Sequence, residues 1–558
     1  MIYTRWAEGC KDPEMIEERY RRRVRSLVFF KNPYYRAQAL LFLCYFILNG
    51  YFIINQFLNL TGIRVTYSGL ISFLGGILSI ATGIIFTIII TRSVSPEEYG
   101  TWGLINALIL YVFMVSPVIS YWSTRDTVRQ IQSGKSAVLS SMLLSAGAVS
   151  VYILISYFMG YYTDASEDIL LFAAILIPAM FMNGILTAIN LGSKPHAISY
   201  GTLAFGISAI PLALFFVYYS DLGVNGIILS VLIAYMASIV ILFQYAKEKI
   251  KNNFNNLHLK KWLKISWLPL YPGIAILVAG FDISIFAIIT GSVIGLAFWA
   301  AAVVLPSMIS HTSLISRAVY PKLLEEKTRE FVNENLTHLF YFGILLTSVV
   351  ITFARPGLYA LNPIYEVAVP VVIIMAFEGF LTVLTNVFLL SLAGIENVDK
   401  YEKSTFRDYI RSKLFFPQTL RLIQTITYIG ILTTGLLILV DLENSNQELL
   451  IYWASVAVIT QVPLTIGLYH LLQKNISIKI DAYRVIKYLL ISIGVFSITY
   501  LLMNQFIIYT ENLIYFIPNI LIFLVFGISL YVVITYLTDS KIRKLVTSII
   551  QELKTRTS

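Results

Sequence analysis

Asp282 lies two-thirds of the way along the otherwise uncharged run 265–290, and Glu378 sits near the middle of the run 366–392. An ionised side chain at mid-bilayer costs about 2.5–3.5 kcal/mol on insertion scales, so such residues usually face a cavity and handle ions or substrate. Two chemistries are open to them. Either carboxylate could take up a coupling H⁺ or Na⁺, or it could stay neutral and bridge two helices by hydrogen bonds; burial raises a carboxyl pKa and suits both. Arg92 and Arg355 flank the ends of the first and ninth apolar runs. A guanidinium there could grip phosphate bidentately or snorkel to lipid phosphates. His311, two turns before Arg317, could line a cavity or make a polar packing contact. Asn106, Asn183, Asn190, Asn386, Gln424 and Gln461 are intramembrane amides expected to bond between helices at about 0.6–2 kcal/mol each.

Other chemistries lack residues. There is no GxSxG, no Walker loop and no paired-carboxylate motif in a loop. The five histidines show no ligand spacing, and Cys10 and Cys44 are the only cysteines, so neither a metal nor another cofactor is expected. A membrane-embedded glycosyltransferase or ligase would present its catalytic residues on a sizeable exterior loop, and the connections at 161–168, 220–223, 441–447 and 509–513 are only a few residues long. The chain is not expected to be an enzyme.

The elements that must position these residues are membrane helices. Hydrophobic residues make up 57% of the chain and charged ones 13%, against roughly 25% charged in soluble domains. Fourteen apolar runs from Tyr67 to Leu537 are each long enough to span a bilayer. Lys and Arg collect in every second connection, for example Lys247, Lys249, Lys251, Lys260, Lys261 and Lys264 between the sixth and seventh runs. Translocating cations is disfavoured, so these loops and the C-terminus are placed in the cytoplasm. The net charge of +10 is spread over those loops rather than gathered on one folded face, which argues against nucleic acid as a partner.

The expected organisation is a basic extension at 1–36, an extra hydrophobic segment at 37–60, and six spans at 67–246. A basic linker helix at 247–264 follows, then six spans at 265–472, two at 486–537 and a basic tail at 538–558. No cleavable signal peptide is expected. If 37–60 crosses the membrane, the nine Lys and Arg of 1–36 lie outside against the charge rule; if it is re-entrant or interfacial, the rule holds. Both readings stand. The cluster Trp267-Leu-Pro-Leu-Tyr-Pro-Gly273 suggests a bent or broken seventh span.

Thr91-Arg-Ser-Val-Ser-Pro-Glu-Glu-Tyr-Gly100 resembles the segment after the first span of polysaccharide-biosynthesis flippases of the Wzx type, within the multidrug/oligosaccharidyl-lipid/polysaccharide exporter superfamily. Phe281-Asp282, Gly291, Gly295, Ala300-Ala301 and Pro321 are similar to that family's seventh-to-eighth-span region. Arg355-Pro-Gly-Leu-Tyr followed by Tyr365-Glu-Val-Ala368 resembles its connection before the tenth span, with Ile364 where a glycine is usual. The resemblance covers about 67–540. It implies an all-α polytopic protein of 14 transmembrane helices, built as two six-helix lobes plus two C-terminal helices, in the cell membrane. It also implies alternating access and transfer of a polyprenyl- or dolichyl-linked oligosaccharide between leaflets. On that reading Arg92, Arg355 and, at the inner mouth, Arg125 neutralise phosphate. Asp282 and Glu378 bind a coupling H⁺ or Na⁺ or position the arginines. The expected partners are the lipid-linked oligosaccharide and membrane lipids, with a monomer as the working unit. The competing reading is a cation-coupled multidrug exporter of the related multidrug and toxin extrusion family, which would need acidic rather than basic cavity residues.

Overall fold

The computed structural model describes residues 65–251, 253–264, 266–316, 329–395, 412–413 and 415–547. The extension 1–36, the segment 37–60 and the charged stretch around Lys403–Arg411 therefore lie outside the described residues. Among the described residues the chain is all-helical. Twelve helices are long and apolar enough to cross a membrane; a further span is a bent pair, and Val65–Ser93 supplies the first. We number these spans 1 to 14. Every backbone polar group in the apolar layer must be satisfied internally, and helices achieve this.

Span 1 is Val65–Ser93. Span 2 is Pro96–Phe113 continued, after a 60° bend, by Pro117–Val128. Pro117 has no N–H to give to Phe113, and its ring crowds the preceding turn; the chain bridges the gap with Ser116 N to Phe113 O at 2.9 Å and Val118 N to Val115 O at 3.1 Å. Spans 3 to 6 are Gly134–Tyr162, Glu167–Ser193, His196–Tyr219 and Gly223–Ile250. The linker helix is Asn256–Lys264. Span 7, Trp267–Thr290, runs through Pro272 as one unbroken helix, and the 60° break among the described spans falls in span 2. Span 8 is Ile294–Ser307, tightening into 3₁₀ turns over Met308–Ser316. Span 9 is Arg329–Thr352, followed by the short helix Ala354–Leu361. Spans 10 to 14 are Val369–Gly394, Phe416–Asp441, Asn446–Ile476, Ala482–Phe506 and Leu513–Thr538.

The helix starts are written in the sequence. Ser95 and Glu98 form a reciprocal capping box that opens span 2, and Ser445 and Glu448 do the same for span 12. Spans 1 to 6 pack on one another, chiefly 5 on 6, 1 on 5 and 4 on 6; spans 7 to 12 do likewise through 10 on 12 and 7 on 11. The two groups meet where span 2 packs on spans 7 and 8. Spans 13 and 14 dock on span 9 through Tyr341, Tyr488 and Tyr531; the Tyr341 and Tyr531 rings stack at 5.2 Å. Since lipid is as apolar as leucine, close contact and hydrogen bonds hold such helices together rather than hydrophobic burial. Gly100 shows the first: a Cβ there would strike the carbonyl of Val293, so span 2 lies directly on the start of span 8.

The Lys- and Arg-rich connections share one membrane face, the basic face; the opposite one is the far face.

Candidate functional site

Asp282 is the centre of a polar cluster within span 7. Its Oδ2 accepts from Tyr428 Oη at 2.7 Å and from Trp453 Nε1 at 3.3 Å, and its Oδ1 accepts from the Ile283 N–H at 2.7 Å. Trp453 also donates to Tyr428 Oη at 2.7 Å. The indole is held flat between rings: Trp299 stacks on it at 3.9 Å and 6°, and Phe286 lies at 5.0 Å. A buried Tyr or Trp needs a partner for its polar tip, and here both tips converge on one carboxylate. Spans 11 and 12 thus hold the carboxylate of span 7, with Trp299 of span 8 bracing the Trp453 indole.

This cluster touches the other helix group. Tyr111, from the first piece of span 2, donates to Gly280 O at 2.5 Å and bonds Ser284 Oγ at 2.9 Å, while its ring meets Phe281 edge-on at 5.1 Å. Gly280 and Ser284 bracket Asp282 on its own helix. Any change of charge at Asp282 therefore acts one residue pair away from the contact between the two groups.

Glu378 is half-buried in span 10, with Oε1 accepting from Thr382 Oγ1 at 2.5 Å. Its field reaches both Tyr428 and Arg421. Arg421 and Tyr428 are seven residues apart in span 11 and share a face of that helix. Asp282 and Glu378 are thus brought into one region through Tyr428, and a guanidinium stands at its basic-face end. Hydroxyls and amides continue the polar seam between spans 10, 11 and 12. Gln424 donates to Thr460 at 3.2 Å, Gln461 donates to Thr385 at 2.9 Å, and Thr385 bonds Thr465 at 2.9 Å. Asn190 similarly joins spans 4 and 6 by donating to Leu242 O at 2.9 Å, and Asn183 accepts from Ser238 at 2.8 Å.

The arginines singled out in the sequence lie away from this region. Arg92, at the far face, donates from Nε to Ala360 O and from Nη2 to Tyr359 O, both at 2.9 Å, and from Nη1 to Glu511 O at 3.2 Å. It occupies the carbonyl-rich C-terminus of the short helix, where orphan acceptors and the helix dipole favour a cation. Arg355 pairs with Glu366 at 3.1 Å and lies over the Tyr509 ring at 5.0 Å, with its side chain 56% exposed. Arg125 is exposed near the end of Pro117–Val128 at the basic face, over the Tyr121 ring at 5.3 Å. His311 is half-buried in the 3₁₀ turns that end span 8.

Sequence reasoning missed Arg421, Tyr428, Trp453 and Tyr111. Arg421 stands five residues into an apolar run beside a basic stretch, where it reads as one more loop cation. Its depth inside span 11 is the signal that could have found it. Among the described residues no group of His, Cys, Asp and Glu is arranged to hold a metal ion.

No protein family matches this chain, and no curated protein matches it by sequence. Solved structures share its fold. Lipid II flippase MurJ in an inward closed conformation superposes with a TM-score of 0.61 at 14% identity, over 86% of this chain and 100% of that one. An inward-facing multidrug resistance MATE family transporter of the MOP superfamily superposes with a TM-score of 0.54 at 12% identity, over 73% of this chain and 98% of that one. At such identities the likeness is one of fold: a polytopic membrane protein of the architecture found in those transporters.

Proposed function

We propose that the chain is a flippase, not an enzyme, that moves a lipid-linked (polyprenyl or dolichyl phosphate) oligosaccharide across the cell membrane by alternating access, for assembly of cell-surface polysaccharide or glycoprotein. What carries the reading is Arg421. A guanidinium inside span 11, with Glu378 as its electrostatic counterpart, is a costly group to retain in an apolar layer. Its chemistry suits an anionic head such as a phosphate. Glu378 balances the charge when no substrate is present. Asp282, bonded at the contact between the two helix groups, is the coupling carboxylate for H⁺ or Na⁺. Arg92 and Arg355 act at the far face and Arg125 at the basic face. Arg92 is held on carbonyls while the far face is closed, and its donors become available to phosphate when that face opens. The sugar and phosphate pass between the helix groups while the lipid tail stays in the bilayer. The C-terminus lies in the cytoplasm, and the monomer is the working unit.

The test is translocation of fluorescently labelled lipid-linked oligosaccharide in proteoliposomes, read by accessibility to a membrane-impermeant quencher. Wild type should move the label across, and Arg421→Gln should raise the half-saturating substrate concentration about tenfold or more, the loss expected for one charge-assisted bond. Unchanged transport in Arg421→Gln sinks the role of that residue, and no translocation by wild type sinks the flippase.

A second reading is favoured by Asp282 and Glu378 themselves. Two intramembrane carboxylates are what a cation-coupled multidrug exporter would use, and the fold likeness supports both classes equally. Efflux of cationic dyes that is indifferent to Arg421→Gln would select it.

A further inference from the structure

The linker helix Asn256–Lys264 has two faces of opposite character. On one, Leu259 and Trp262 enter the core formed by Val118, Ile189 and Leu242 of spans 2, 4 and 6. Trp262 Nε1 donates to the buried Asp126 at 3.2 Å, and the preceding Asn255 donates its N–H to Ser136 Oγ of span 3 at 2.8 Å. The other face exposes Leu257 at 71%, with Leu263, at its margin beside Leu259, at 48% and Phe254, just before the helix, at 45%. Lys260, Lys261 and Lys264 are exposed among them. The helix connects the basic-face ends of spans 6 and 7, so it lies at the depth of lipid headgroups. A purely water-facing surface would not gather three large apolar side chains, and a protein–protein core would not bury three lysines. Apolar side chains interleaved with lysines are the pattern of a helix seated in an interface, and its charge selects an anionic one.

We infer that this face is a binding site for anionic phospholipid headgroups of the leaflet at the basic face. Its seating is transmitted through the Trp262–Asp126 bond to Pro117–Val128, the bent piece of span 2 that carries Arg125. Asp126 adjoins Arg125 in sequence, and Trp262 is the linker's buried contact with that piece, so a linker helix drawn toward the bilayer pulls on the basic-face half of span 2. The inference concerns lipid and linker alone and stands whichever substrate is carried.

The full chain with Cys10→Ser and Cys44→Ser accepts a single cysteine at Leu257, labelled with a polarity-sensitive fluorophore and reconstituted in phosphatidylcholine vesicles with or without phosphatidylglycerol. The emission should shift to the blue with phosphatidylglycerol. The shift should shrink with salt as the Debye length falls from about 10 Å at 0.1 M to about 3 Å at 1 M. Each lysine near an anionic surface is worth about a fivefold factor in seating, so K260Q/K261Q/K264Q should weaken it by about a hundredfold. Identical emission in both vesicles, as for a surface that awaits a protein partner, overturns the lipid site; so does a response that the triple variant keeps.

A second cysteine probe at Val128, itself 60% exposed, reads the transmission. It should respond to phosphatidylglycerol in wild type and stop responding in Trp262→Phe, which keeps the ring and loses the donor. Asp126→Leu removes the acceptor instead and should do the same, while Asp126→Asn, which still accepts, should restore the response. A Val128 response that survives both Trp262→Phe and Asp126→Leu overturns the coupling.

Discussion

Asp282 accepts three hydrogen bonds, from a phenol, an indole and a backbone N–H. An ionised carboxylate is acceptor-only and satisfies all three. Asparagine at this position turns an NH₂ toward donors or gives up one bond, which costs about 1–3 kcal/mol in a buried setting. Asp282→Asn should therefore lower thermal stability modestly; if Asp282 is the coupling carboxylate, it should also reduce coupled transport by at least tenfold and flatten its dependence on pH or Na⁺. Proteoliposome flux measured against each gradient checks this; a variant that keeps its gradient dependence removes Asp282 from coupling. Tyr428→Phe deletes one bond and should cost about 0.5–1.5 kcal/mol in stability. The two carboxylates were legible in the sequence because a charge in an apolar run stands out at once. Their partners were not, since Tyr428 and Trp453 resemble any other aromatic of a membrane helix until a neighbouring span supplies the acceptor. Arg92 shows the converse. Its place at the edge of an apolar run is legible, but the carbonyls of Tyr359 and Ala360 that receive it belong to a short helix whose direction no local pattern reveals.

At the scale of elements, spans and their order were readable from apolar runs and capping boxes, whereas the angles between pieces were not. Proline alone does not say how far a helix bends. Pro272 continues span 7, while Pro117 sits at the 60° bend of span 2, beneath which the linker helix docks. The contact between Gly100 and Val293 is equally invisible in sequence. Gly100→Ala must push span 2 off span 8 and should destabilise by about 1–3 kcal/mol, read as a fall in thermal midpoint in detergent; an unchanged midpoint would mean the two spans are not held at that point. The junction after span 14 makes a prediction in pH. Burial pushes the Asp539 carboxyl up, but the Lys487 ammonium at 2.9 Å, the backbone N–H of Lys541 and the Arg484 guanidinium at 3.3 Å outweigh it. The group ends below its ordinary value near 3.8. A carboxylate depressed in the folded state contributes stability above its unfolded pKa and loses it as pH falls through the folded one. Asp539→Asn should thus lower the thermal midpoint at neutral pH, and the difference from wild type should shrink below about pH 4. A difference that persists undiminished in acid would assign the loss to packing rather than charge.

At the scale of the molecule, hydrogen bonds join the two helix groups at the far face. From span 1, Thr91 Oγ1 donates to Leu361 O at 3.0 Å, and Asn362 Nδ2 donates back to Thr91 O at 2.9 Å. Arg92 adds its donated bonds to the Ala360 and Tyr359 carbonyls. From the connection between spans 3 and 4, Asp164 accepts the Val293 N–H at 2.8 Å and the Ser292 hydroxyl at 3.0 Å, and gives its own N–H to Gly291 O at 3.2 Å. Gly291, at φ 65°, ends span 7 in the left-handed region and turns the chain so that the start of span 8 meets that carboxylate. At about 0.5–1.5 kcal/mol per net bond, the seam holds several kcal/mol, comparable to the roughly 5.5 kcal/mol that carries a two-state equilibrium from 1:99 to 99:1. If the protein works by alternating access, this seam must part in every cycle, and substrate with coupling ion must supply the difference. Weakening it should then shift populations without abolishing either state. Asp164→Ala, which deletes two side-chain bonds, should raise the far-face-open fraction by about five- to a hundredfold. Spin labels on the connections between spans 3 and 4 and between spans 7 and 8 would read the change as a longer distance population. Locking the seam is the stricter experiment. With Cys10 and Cys44 replaced by serine, Asp164→Cys and Ser292→Cys place two thiols where carboxylate and hydroxyl now meet. Oxidation should stop flux and reduction should restore it, because a covalent bond holds the far face shut. Cross-linked protein that still transports at the reduced rate would show that the substrate path does not open between these two groups.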